Sequence, residues 1–242
     1  MTTRRADLAL VERGLFASRA KAREAIDAGL VTRDGAVVRK PSELVGDEAR
    51  LEARAAYPWV SRGGVKLAAA LEAFGFDPAG KIALDIGAST GGFADVLLTG
   101  GAVHVTCVDV GHGQLHARIA ADSRVTSLEH FDARKLSPSD LRAPPQIIVC
   151  DVSFISLGLI LPTVLALAAP RAEAAILIKP QFEAGPEAVK KGFVRDGKVR
   201  EEVCDRNKKL VASLGWTVLG IIPSPITGGD GNSEYLLGAR RA

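Results

Sequence analysis

KIALDIGASTGGF, residues 81–93, is the stretch that decides the fold. Its first half is a short apolar run closing on an acid, Asp85, as a buried strand does at its carboxyl end. Its second half holds Gly87, Gly91 and Gly92, where the absence of a Cβ lets the backbone turn sharply and approach a ligand closely. A helix is predicted to open near Gly92. Strand, glycine turn and helix in that order mark the crevice where doubly wound α/β sheets bind ligands. The spacing is not GxGxxG and no GK[ST] follows, so neither the dinucleotide fingerprint nor the P-loop applies.

Downstream, apolar strands alternate with helical periodicity. Candidate strands are 82–85, 104–109, 125–129, 147–151, 174–179, 216–223 and 233–240. The pattern predicts an α/β fold, a mostly parallel sheet covered by helices on both faces. Two more acids close strands or follow them, Asp109 and Asp132. The cofactor candidates are therefore Asp85, Gly87, Ala88, Ser89, Thr90, Gly91, Gly92, Phe93, Asp109 and Asp132. Three acids at successive strand ends suit S-adenosyl-L-methionine. Asp85 would orient the methionine end, Asp109 would accept from both ribose hydroxyls, and Asp132 would accept from the adenine amino group. Each acid also has a plainer reading as a helix cap or turn residue.

Four further stretches stand out: SRGGVKL (61–67), CDVSFIS (150–156), LIKPQFE (177–183) and GNSEYL (231–236). Asp151 and Lys179 close hydrophobic strands, where this fold places functional groups. A lysine after Ala-Ile-Leu-Ile is expected to be partly desolvated, which favours its neutral form. Between residues 179 and 206 lies a glycine-containing basic segment. Its Lys190, Lys191, Arg195, Lys198 and Arg200 read either as phosphate contacts or as solvated charges of a loop.

Residues 1–54 form a separate small αβ module, and residues 55–60 (AAYPWV) a linker stiffened by Pro58. A short helix ends at Gly14, and Ser18 caps a second one that stops at Gly29. Asp34-Gly35 joins two β-like runs, a hairpin signal. A turn region near 41–47 precedes a strand at 49–53. Arg5, Asp7, Leu10, Arg13, Gly14, Leu15, Ser18, Arg19, Ala22, Ile26, Gly29, Val31, Gly35, Val37, Lys40 and Pro41 together resemble the RNA-binding domain first described in ribosomal protein S-four. That resemblance implies phosphate contacts at Arg4, Arg5, Arg19, Lys21, Arg23 and Lys40. Charge agrees: residues 1–66 hold 13 Lys/Arg against 9 Asp/Glu, whereas the remainder holds 18 against 19. The positive excess lies where a polyanion-binding module needs it.

The whole chain resembles the TlyA (haemolysin-A-type) family of rRNA ribose 2′-O-methyltransferases, whose catalytic domain is FtsJ-like; the resemblance implies a Rossmann-like methyltransferase sheet, mostly parallel with an antiparallel last strand. The family's GASTGGF loop matches without a gap, and its Lys-Asp-Lys-Glu tetrad falls on Lys66, Asp151, Lys179 and Glu234. The resemblance implies methyl transfer from S-adenosyl-L-methionine to a cytidine 2′-hydroxyl in ribosomal RNA or a ribosomal subunit, by a catalytic domain spanning 61–242. Lys179 would serve as base and Lys66 would orient the hydroxyl, its charge also easing proton loss from Lys179. Asp151 and Glu234 would hold the lysines, and Arg62 would contact RNA beside them. No metal is required by such a scheme. Ending at Ala242, the chain is expected among the shorter family members, which act on the large subunit alone.

Composition limits the alternatives. An apolar fraction of 47% supports a true core, and 5% aromatics points RNA contact toward charge and shape over base stacking. Cys107, Cys150 and Cys204 are scattered, which argues against a disulfide framework or zinc site. No signal peptide or bilayer-length apolar run is present, so a cytoplasmic protein is expected, and the cytolytic role in the family's older name is disfavoured. A non-catalytic RNA-binding protein is the other alternative. The intact tetrad argues against it.

Overall fold

The computed structural model describes residues 3–242. They form two compact units that divide between Pro58 and Trp59.

The first unit contains β1 (Thr3–Arg5), α1 (Ala6–Glu12), α2 (Arg19–Asp27), β2 (Val31–Arg33), β3 (Ala36–Val37), β4 (Leu44–Gly46) and β5 (Leu51–Ala53). Ser18 caps α2 as expected, its side chain accepting from the Lys21 amide. The β2–β3 turn carries Asp34 and Gly35 at φ 49° and 82°, the paired left-handed conformation that a two-residue hairpin requires. Strands β3, β2 and β5 form one small sheet. β1 and β4 form another, which the sequence reading missed by treating 41–47 as a turn. Each is three residues long, and their pairing joins segments about forty residues apart, so periodicity has nothing to register. Leu10, Ala22, Ile26, Val31 and Val45 fill the core between helices and strands.

The second unit opens with α3 (Gly63–Phe74), β6 (Ile82–Ile86), α4 (Gly92–Thr99), β7 (His104–Val108), α5 (Ala117–Ala120) and β8 (Val125–Leu128). It continues with β9 (Ile147–Cys150), α6 (Leu157–Ala166), β10 (Ala172–Ile178), α7 (Pro180–Glu183), α8 (Gly197–Ser213), β11 (Thr217–Pro223) and β12 (Tyr235–Arg241). The sheet order is β11-β12-β10-β9-β6-β7-β8. β12 runs antiparallel to both its neighbours, and the β10-to-β8 portion is parallel. The expected Rossmann-like sheet with a reversed last strand is therefore present. β7 and β9 are buried along their whole length, as strands covered on both faces must be. One apolar layer gathers α6 and α8 with Leu84, Ile148 and Ile176; the other gathers α3 and α4 with Ala83, Val105 and Val149.

The helical expectation fails in two connections. Residues 224–234, between β11 and β12, hold no helix. Between β8 and β9 there are only 3₁₀ turns at 133–135 and 138–140. Pro138, Pro144 and Pro145 remove the amide donors that a continuous α-helix would need.

Candidate active site

The loop after β6 sits at the carboxyl end of the central strand, and its glycines face the protein itself. A Cβ on Gly87 (φ 79°) would lie 2.2 Å from the Asp151 carbonyl oxygen, and one on Gly92 would lie 2.2 Å from Ser61 Oγ. The close approach expected toward a ligand is in these directions an approach of chain to chain. It draws the segments bearing Asp151 and Lys66 against the loop. Ala88 and Phe93 are core residues, and Gly91 is packed beneath Leu115 and Ile119.

A cleft of about 430 Å³ opens beside this loop, lined by Gly87, Ser89, Asp109, Asp132, Asp151 and Phe154 among others. That volume is in the range of small-molecule sites. Of the expected cofactor residues, Gly87, Ser89, Asp109 and Asp132 reach its wall. Ala88, Gly91, Gly92 and Phe93 do not, because they pack the loop from behind, and Thr90 is exposed outside the cleft. Asp109 accepts from the Ser89 amide (2.7 Å) and the Gly111 amide (2.7 Å), tying the loop to the end of β7. A carboxylate has roughly four acceptor positions, so two remain for a diol. Asp132 caps the turn at 133–135 and takes the Arg134 guanidinium at 2.7 Å. The plainer reading of that acid is thus realised, whatever else it accepts.

Asp85 is not part of the cleft wall: it directly precedes the lining residues Ile86 and Gly87, is fully buried, and neither of its carboxylate oxygens has a hydrogen-bond partner. Its pKa is pushed up to about 8, first by burial and then by the charge of Asp151; the Ala94 amide opposes the shift but does not reach hydrogen-bond geometry. A buried acid without a donor is costly unless a cation or donor arrives. The ammonium and sulfonium of S-adenosyl-L-methionine supply that chemistry, so the residues present fit the group.

The four tetrad residues meet as two ion pairs. Asp151 follows β9, Lys179 follows β10, and Glu234 precedes β12; these three strands are neighbours, β10 ending in register with the start of β12 and running two residues past the end of β9. Lys179 Nζ lies 2.5 Å from Asp151 Oδ1 and donates to Ser153 Oγ at 2.8 Å. That Asp151 oxygen has no directed hydrogen bond, so its contact with the amine is chiefly electrostatic. Lys66, on α3, pairs with Glu234, and both are buried. The expectation that Lys66 acts electrostatically on Lys179 is therefore weakened, since Glu234 neutralises it. The Lys179 side chain is 11% exposed, as its apolar strand implies. Arg62, at the start of α3, reaches the Thr227 carbonyl (3.3 Å).

In the first unit, most of the expected phosphate contacts are already engaged. Arg5, Arg19 and Arg23 converge on Asp7, and Arg4 pairs with Glu12. Lys21 lies 3.8 Å from the centre of the Tyr57 ring. Lys40 is exposed.

Comparison with known proteins agrees with this architecture. Residues 59–241 match the family model for FtsJ-like methyltransferases, and residues 4–51 match the S4 domain. The 16S/23S rRNA (cytidine-2′-O)-methyltransferase TlyA of Mycobacterium tuberculosis is 43% identical over 98% of this chain and 89% of its own length. The chain belongs to the TlyA family of FtsJ-like methyltransferases. Another TlyA protein, the 23S rRNA (cytidine-2′-O)-methyltransferase of Campylobacter jejuni, is 38% identical over 73% of this chain and 69% of its own. A solved structure described as a hemolysin, from Streptococcus thermophilus, is 39% identical, covers 100% of this chain and 90% of its own, and superposes with a TM-score of 0.78.

Within this TlyA-family site, Phe154 is among the wall residues that escaped the sequence reading. Phe154 is 90% exposed, holds a left-handed backbone (φ 63°) and packs its ring 4.8 Å from that of Phe182. Non-glycine residues at positive φ carry strain that their surroundings must offset. Here Glu183 does so, accepting from the Leu157 amide (2.6 Å) and Ser156 Oγ (2.9 Å) and so tying the two loops together. The signal was in CDVSFIS: an aromatic flanked by serines just past a strand. The low overall aromatic content obscured it.

Proposed function

We propose that this protein transfers a methyl group from S-adenosyl-L-methionine to the 2′-hydroxyl of a cytidine in ribosomal RNA. The carrying observation is the row of Asp151, Lys179 and Glu234 at adjacent strand ends, with Lys66 paired to the last, beside a cleft whose wall at Gly87 is two residues from the donor-starved Asp85. When bound, S-adenosyl-L-methionine supplies an electrophilic methyl group. Asp109 holds the ribose end, Asp85 the cationic end, and Asp132 faces the adenine side. Lys179, held by Asp151 and Ser153, takes the proton from the attacking hydroxyl only as the neutral amine, after giving up to solvent the proton it carries in the ion pair. A ribose hydroxyl is a weak nucleophile unless that proton leaves as it attacks. Lys66, fixed by Glu234, orients the hydroxyl, and placing oxygen and methyl in line supplies much of the rate.

Residues 1–54 serve as the RNA-binding module, 55–60 as the linker and 61–242 as the catalytic domain of a cytoplasmic enzyme. The 23S molecule is common to the names of both TlyA relatives, so the large subunit is the proposed target. Incubating the purified chain with labelled cofactor and separated ribosomal subunits tests this directly. Label is expected in large-subunit RNA; label confined to the small subunit would overturn the assignment. The hemolysin description of one related structure has no counterpart in a spanning helix: among the described residues, no helix is long and apolar enough to cross a membrane.

Phe154 gives the target base a platform. An aromatic face at a cleft rim is worth about 1–3 kcal/mol per stacked base. Phe154→Ala is therefore expected to lower kcat/KM by roughly 5- to 150-fold. Equal kinetics in the variant would remove that role.

Cofactor affinity is expected to depend on pH through Asp85. A carboxyl raised to about 8 in the free protein keeps its proton between the ordinary range, near 4, and 8. Over that window the folded state binds more protons than the unfolded state, so stability from this group falls as pH rises. A cationic ligand pairs with the carboxylate and expels the proton. Affinity should therefore climb by up to about tenfold per pH unit below 8 and then level off. A calorimetric titration from pH 6 to 9 that is flat in wild type, or climbs equally in Asp85→Asn, would refute the linkage.

A further inference from the structure

The first unit contains an arrangement whose purpose the fold alone does not explain. Asp7 is completely buried, near the start of α1. Three guanidinium groups from β1 and α2 reach it. Arg5 donates through Nε at 3.0 Å and Nη2 at 3.2 Å. Arg19 donates through Nη2 at 2.9 Å and Nε at 3.3 Å. Arg23 donates through Nε at 3.0 Å. The carboxyl is held far below the usual carboxylate range, chiefly by Arg5, with Arg19 and Arg23 adding to it and burial opposing.

Structural need does not account for three cations. One arginine satisfies a buried carboxylate bidentately; gathering two more places like charges side by side and leaves the cluster at a net charge of two. Each arginine side chain nevertheless remains 40–49% exposed. Their Nε atoms all face inward, so their outer N–H groups remain toward solvent. That is the geometry of a preformed anion cradle: three forked donors, fixed from behind, open in front.

We infer that Asp7 is a positioning residue that assembles Arg5, Arg19 and Arg23 into one site for a backbone phosphate of folded RNA. This rests on the RNA-directed reading of the chain. Asp7 touches no RNA itself. It restricts the rotamers of three long side chains before binding, so less freedom is lost when the phosphate docks.

The inference has a sign that simple charge counting reverses. Asp7→Asn removes a negative charge from an RNA-binding surface, so long-range electrostatics alone would tighten binding and steepen its salt dependence. Loss of positioning predicts the opposite. Binding of the full-length variant to a 23S rRNA transcript should weaken by about tenfold, and the slope of log affinity against log salt should shrink by about 1 to 2. Cofactor affinity, read on the catalytic unit, should stay unchanged.

Should Asp7→Asn fail to fold, judged by its thermal transition, the charge-conserving pair Arg19→Lys and Arg23→Lys takes its place. It retains the charge but loses the fork, and the same weakening is expected. Affinity equal to or above wild type in the folded variant overturns the role of Asp7. A wild-type chain that shows no salt-dependent binding to the transcript would instead overturn the RNA reading beneath it.

Discussion

Lys179→Met is expected to reduce methyl transfer by about 10²- to 10⁴-fold, the usual contribution of a positioned proton acceptor, while the protein stays folded and binds cofactor normally. The variant keeps the aliphatic stem that packs at the end of β10 and removes only the amine. Its loss leaves the buried Asp151 Oδ1 without a counter-charge, but the side chain as a whole is 19% exposed, so the penalty is smaller than for a fully buried pair. Ser153 loses its lysine donor in the same way. Single-turnover methylation of rRNA, with the thermal transition as control, separates chemistry from folding. A folded variant retaining even a tenth of the wild-type single-turnover rate would remove Lys179 from the role of base.

Glu234→Ala acts through burial. Lys66 and Glu234 are both nearly inaccessible, and their ion pair joins α3 to the start of β12 across more than half the chain. Removing one member leaves a buried ammonium without its counter-charge, which costs about 3–5 kcal/mol in comparable sites. A unit of this size loses roughly 2–4 °C of Tm per kcal/mol, so a fall on the order of 10 °C is expected. Activity should fall with it even at temperatures where the variant is folded, since Lys66 is no longer fixed. Lys66→Met in the Glu234→Ala background should restore part of the Tm without restoring transfer. A variant as stable as wild type would show that the pair is solvated and not a fixed part of the site. The contrast with Lys179 is instructive: both are lysine–carboxylate pairs, but the greater exposure of Asp151 makes one a matter mainly of chemistry and the other of stability as well.

These two pairs also mark how far the sequence could be read. The sheet was legible because buried parallel strands such as those at Ile147–Cys150 and Ala172–Ile178 leave near-continuous apolar runs, each closing on a charged residue. Asp151 and Lys179 could be placed at strand ends from that alone. Lys66 and Glu234 could not, because neither lies at the end of a run; only their motifs flagged them, and their mutual pairing is a product of tertiary structure. The glycine loop was legible as a turn, yet the neighbours of Gly87 and Gly92 were not, since those are backbone and side chains distant in sequence. Local periodicity likewise overestimated helix between Val125 and Cys150, where prolines break the pattern. In the N-terminal module the arginines were recognised as a set, but Asp7, their common partner, was seen only as one matching position among many.

The atom that receives the methyl group decides between ribose and base methylation. Large-subunit rRNA lacking the modification should be treated with the purified chain and cofactor, digested to nucleosides and resolved by mass spectrometry. A new 2′-O-methylcytidine, absent when Lys179→Met is used, is the expected result. A methyl group found on a base, with the ribose hydroxyl unmodified, would contradict the site proposed around Lys66, Asp151, Lys179 and Glu234.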